Sequence, residues 1–203
     1  MSRSRCRAVA LGLLAAGLVC GCGSPPQAGR SAAIPIALLR EARPIGVGAR
    51  FRPPARGPVI GRCRPRLGPR SDVHVELFAQ NRVVLVPAGI GTRPPRVSAG
   101  GRITAADCYG DIVTLDPTGV VLVRAGLRLS IADLFRSWGQ PVSDREIASF
   151  TAARGARVAV YVDGRAWRGA PADVPLSPHA EIVLEVGPHV PPHAAYTFPS
   201  DGS

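Results

Sequence analysis

Asp72, His74 and Glu76 alternate in the run Asp72-Val73-His74-Val75-Glu76-Leu77. Residues two apart in an extended strand share a face at a spacing of about 6.5–7 Å. Carboxylate, imidazole and carboxylate on one face suit a divalent metal or acid–base chemistry. The competing reading makes them the solvent face of a half-covered sheet, with Val73, Val75 and Leu77 turned to the core. No second ligand cluster follows in the chain. His179, His189 and His193 lie in or near a Pro-rich C-terminal region without ligand spacing, and Asp111 and Asp116 flank an apolar run where turn residues belong.

The chemistry the chain lacks narrows the field. HExxH, GxSxG and paired CxxC patterns are missing, and all 25 basic residues are arginine. Without lysine there is no P-loop lysine, no Schiff-base lysine and no Ser-Lys dyad. The expected class is therefore non-enzymatic, with no cofactor. Trp138, Trp167, Phe135, Phe150 and Tyr161 are expected in the core. Tyr196-Thr197-Phe198-Pro199 is expected as a strand-like strap, or else as a partner-docking peptide.

Three hairpins would position these residues. Val73–Leu77 turns at Gln80-Asn81-Arg82 into Val83–Val86; Ile112–Leu115 turns at Asp116-Pro117-Thr118-Gly119 into Val120–Val123; Val158–Val162 turns at Asp163-Gly164 into Arg165–Trp167. Ser130 with Asp133 predicts a capped helix ending at Gly139 and Pro141. Ser143 with Glu146 predicts a second short helix ending at Gly155. Ile182–Val186 supplies a last strand. The expected fold is α+β: about seven mostly antiparallel strands in hairpins with two short helices, in one domain. Expected boundaries are a signal peptide at 1–21, a Pro/Gly/Arg-rich tether at 22–61, the globular domain at 62–187 and a Pro-rich tail at 188–203.

Arg3, Arg5 and Arg7 precede an apolar run from Ala8 to Val19, followed by Val19-Cys20-Gly21-Cys22. Twelve apolar residues rise about 18 Å as a helix, short of the roughly 20 residues that span a bilayer. The segment is similar to the lipobox of bacterial lipoproteins, and by that resemblance Cys22 receives the lipid. The alternative is an ordinary cleaved signal. Lipidation implies a cell-membrane location on the extracytoplasmic face, with durable anchoring by two or more acyl chains.

The formal net charge of +11 is unevenly distributed. Arg40 to Arg70 holds nine arginines against Glu41 alone, whereas Ser71 to Ser203 holds twelve arginines and thirteen acids. The positive charge thus belongs to the tether. It suits anionic headgroups or acidic envelope polymers, and nucleic acid is not an expected partner. The expected partner is the membrane, through the Cys22 lipid and the basic tether; the sequence names no protein or small-molecule partner. Beyond the signal and Cys22, the cysteines are Cys63 and Cys108, which pair in an oxidising exterior or remain as two free thiols.

A wider resemblance spans most of residues 63–199. Cys63, Asp72-Val73-His74-Val75-Glu76-Leu77, Val86-Pro87-Ala88-Gly89-Ile90-Gly91, Cys108, Trp138-Gly139-Gln140-Pro141, Tyr161-Val162-Asp163-Gly164 and Glu181-Ile182-Val183-Leu184-Glu185-Val186-Gly187 resemble the motifs of an uncharacterised group of bacterial secreted and lipoprotein-like proteins. Typical members carry His-x-His-x-His-Leu at positions 72–77 and His-Thr-His where this chain has Val113-Thr114-Leu115. Two such clusters imply a metal site in those relatives. Here only His74 remains, so the resemblance implies a degenerate member with the metal function lost or rebuilt. The leading expectation is a lipid-anchored, extracytoplasmic binding or structural envelope protein, non-catalytic. The alternative is a copper- or zinc-handling envelope protein using Asp72, His74 and Glu76.

Overall fold

The computed structural model describes residues 43–189 and 195–198, all within one compact unit. Cys22, His193 and Pro199, with the expected signal segment and most of the expected tail, lie outside them.

Strand β1 (Arg70–Ala79) organises the fold. Its alternate residues Val73, Val75, Leu77 and Ala79 are all buried, as the period-2 pattern requires. Gln80 and Asn81 then turn the chain, both with positive φ, into β2 (Arg82–Val84). Next come β3 (Thr92–Ala99) and β4 (Arg102–Tyr109), a ribbon turned at Gly100-Gly101, and the short β5 (Ile112–Val113). Strand β6 (Val120–Arg124) pairs with β5 in the expected hairpin, Ile112 opposite Val123.

Helix α1 (Ile131–Trp138) buries Ile131, Leu134, Phe135 and Trp138 at i, i+3, i+4 and i+7. The Ser130 N–H donates to Asp133 Oδ2 at 3.0 Å, part of a capping box, and Gly139 ends the helix in the left-handed region.

The second predicted helix is not formed. The segment instead makes a three-stranded meander of β7 (Val142–Ser143), β8 (Glu146–Ile147) and β9 (Phe150–Thr151). Ala148 and Ser149 both take positive φ to turn β8 into β9, which a right-handed helix cannot accommodate. Strand β10 (Ala159–Val162) and β11 (Arg165–Ala166) form the third expected hairpin, and β12 (Glu181–Val186) closes the fold.

The main sheet runs β11-β10-β12-β1-β6-β5, with β2 also on β1. One edge of β1 pairs with β6 over Arg70–His74 and with β2 over Leu77–Ala79. Its other edge pairs in parallel with β12, from His74 opposite Glu181 to Ala79 opposite Val186. The fold is α+β-like and strand-dominated, as expected, but has one α-helix among the described residues, and its central sheet is mixed.

The core lies between the inner sheet face, α1 and the meander. Residues 43–61, expected as tether, pack on it. Ile45 inserts beside β2, donating to Val83 O and accepting from the Leu85 N–H, each at 2.8 Å. Phe51 is buried, stacks on Phe150 with centroids 5.7 Å apart, and accepts the Trp138 indole N–H at 2.6 Å through its carbonyl. Phe135 and Trp138 are core residues as expected, whereas Trp167 is exposed. A smaller cluster of Ile103, Tyr109, Val113 and Leu115 joins the β3–β4 ribbon to the sheet. Cys63 and Cys108 form a disulfide, Cα atoms 5.3 Å apart, tying the segment before β1 to β4.

Candidate functional site

Asp72, His74, Glu76 and Phe78 share the outer face of β1, since Val73, Val75 and Leu77 face the core. The outer face of β12 brings Glu181, Val183 and Glu185 beside them. Two chemistry-bearing rows thus run side by side, contributed by segments about a hundred residues apart.

This face is not open at its centre. His74 is 1% exposed. Its Nε2 lies 3.2 Å from the carbonyl oxygen of Thr118. A carbonyl only accepts, so Nε2 carries the hydrogen. The Asp116–Gly119 turn presents that oxygen: the Asp116 carboxylate accepts from the Thr118 N–H and hydroxyl and pairs with Arg102.

The other ring nitrogen, Nδ1, faces two carboxylates, Glu76 Oε1 at 3.8 Å and Glu181 Oε1 at 3.9 Å. These separations exceed hydrogen-bond range. They lie close to the edge of a coordination tetrahedron, about 3.4 Å for bonds of 2.0–2.2 Å. These three candidate ligand atoms lie within 4.8 Å of one another. The group therefore keeps His74 and Glu76 from the expected triad and takes Glu181 in place of Asp72. Side-chain exposures of 17% for Glu76 and 15% for Glu181 leave an oxygen-lined approach beside the buried imidazole.

Tyr196 lies over the site, its ring stacked on the His74 imidazole at 4.2 Å between centroids and 19° between planes. Its backbone N–H donates to Glu181 Oε1 at 3.1 Å. Phe198 meets Tyr196 edge-on at 4.9 Å and packs on His179 at 5.1 Å. The His179 N–H in turn donates to the Asp72 carbonyl at 2.7 Å. Residues 195–198 act as the expected strap without strand pairing. Burial raises the Tyr196 phenol above its usual value, helped by the negative charges of Asp72 and Asp116.

Farther along β12, the buried Glu185 carboxylate accepts from His189 Nδ1 at 2.7 Å, and Tyr161 packs against that imidazole. A cleft of about 90 Å³ opens beside His74 where β1 changes partner, lined by Val75, Leu77, Val84, Pro117 and Gly119 among others. It has room for a few water molecules.

Asp111 is structural: it accepts from Arg124 Nε at 2.6 Å. Beside it, the Arg70 guanidinium reaches the carbonyls of Leu67, Gly110, Asp111 and Leu122. Burial lowers Arg70 to about 10, with Arg124 adding to the shift and Asp111 opposing it.

No family model, curated protein or solved structure matches the chain.

Proposed function

We propose that this chain is a non-catalytic, lipid-anchored extracytoplasmic protein that binds one divalent transition-metal cation through His74, Glu76 and Glu181. The observation that carries the reading is the Thr118 carbonyl on His74 Nε2. A hydrogen bond on the far nitrogen is the outer-shell contact by which metal-ligating histidines are held in one tautomer. The other ring nitrogen, Nδ1, then lies on the side of the two carboxylates. Imidazole with carboxylate suits zinc or copper. The Arg3–Cys22 segment and its likeness to a lipobox support the anchor and compartment.

The second reading is a binding or structural envelope protein without a cation. It is favoured by the Tyr196 N–H on Glu181 Oε1, which gives that oxygen a protein partner. There, His74 is a packing residue between the Glu76 and Glu181 carboxylates, held by the Thr118 carbonyl and the Tyr196 ring. Calorimetric titration of the metal-stripped full chain with zinc and copper separates the two. The cation reading expects one equivalent bound, with affinity reduced at least about tenfold in Glu181→Gln. Absence of uptake, or equal uptake by His74→Gln, returns the protein to the second reading.

A further inference from the structure

We infer that Tyr196 is the closing residue of the cation site, holding the ion in rather than ligating it. The inference rests on the cation reading above and concerns how the bound ion is released.

One strap residue touches two of the three ligands in two different ways. Its ring covers the His74 imidazole. Its backbone N–H holds Glu181 Oε1, the oxygen that faces His74 Nδ1. The ring therefore excludes water from the nitrogen ligand, and the amide fixes the rotamer of an oxygen ligand. Outer-shell control of solvent access and ligand orientation determines how long a metal stays bound.

The strap is itself pinned to β1. Phe198 braces Tyr196, packs on His179, and His179 is tied by its N–H to the Asp72 carbonyl. Entry and release share one path, past the partly exposed Glu76 and Glu181 oxygens to Nδ1 beneath the Tyr196 ring, and the last step of release is the parting from Nδ1.

The experiment is a chelator chase on the zinc-loaded full chain, with dissociation rate and equilibrium affinity measured separately. Tyr196→Ala is expected to release zinc about tenfold faster, with the association rate within about threefold of the parent. Tyr196→Phe keeps the ring and the amide and is expected to release at the parental rate. Phe198→Ala, which loosens the brace alone, is expected to fall between them. Release from Tyr196→Ala at the parental rate overturns the inference while leaving the cation site standing. A parent chain that takes up no zinc overturns both, so the two failures are distinguishable.

Discussion

His74 and Glu181 face each other across the parallel β1–β12 pair, with imidazole Nδ1 3.9 Å from carboxylate Oε1. The partner that completes the site is therefore fixed by strand register between distant segments. Glu181→Gln keeps shape and hydrogen bonding but removes the charge. Zinc affinity is expected to fall at least about tenfold, whereas Asp72→Asn, outside the ligand group, is expected to change it less than about threefold. Isothermal titration of both variants makes the comparison.

On the cation reading, proton competition gives the site a pH dependence of definite sign. A ligating imidazole must be neutral, so binding releases protons and zinc affinity falls as the medium becomes acidic. Titrations at pH 7.5 and pH 5.5, roughly spanning histidine's ordinary range, are expected to show weaker binding at the lower value. Affinity unchanged across that interval would remove His74 from the ligand set.

Tyr196 titrates in the opposite region. Its folded value lies above the usual 10.0. A phenol that holds its proton more tightly when folded stabilises fully below pH 10, and that contribution is lost as pH rises through the raised value. Ionisation of the phenol is expected to pull the parent's denaturation midpoint below that of Tyr196→Phe as pH rises from about 9 to about 11.5, approximate bounds around the ordinary tyrosine range. Absorbance at the phenolate band locates the transition.

Gly119 couples the β5–β6 turn to the site. It adopts φ +85°, and a Cβ there meets the Val75 carbonyl at 2.7 Å and His74 Nε2 at 3.1 Å. Gly119→Ala is expected to cost about 1–3 kcal/mol from the backbone strain alone. It also shifts His74, so weaker zinc binding accompanies the lower unfolding midpoint. Urea unfolding and metal titration read the two effects separately.

Phe51 makes part of the nominal tether integral to the domain. Truncating a buried aromatic costs about 3–5 kcal/mol, and Phe51→Ala also removes the stack on Phe150. Trp138→Phe deletes the indole donor to the Phe51 carbonyl and is expected to cost about 1–3 kcal/mol. Exposed Arg56→Ala serves as the control, expected within about 0.5 kcal/mol of the parent.

What could be read from the sequence was local. Gln80-Asn81, Asp116–Gly119 and Asp163-Gly164 announce turns by residue type alone, and Ser130 with Asp133 announces a helix start. Ser143 with Glu146 repeats that start signal, yet pairing within the meander and the positive φ values of Ala148 and Ser149 override it. The β3–β4 ribbon escapes because Pro94 and Pro95 break the strand pattern, although Gly100-Gly101 signals its turn. His74 and Glu76 are visible as an alternating pair. Glu181 is not, because parallel pairing leaves no local signature of which residues become neighbours.

That parallel pairing also sets when the site can come into being. His74 and Glu76 leave the ribosome roughly a hundred residues before Glu181, an interval of about 5–20 s at ordinary elongation rates. Throughout it the chain holds two ligands and no third. On the cation reading, the three side chains come together only after Glu181 has been synthesised and paired with β1, so uptake of the ion follows that pairing.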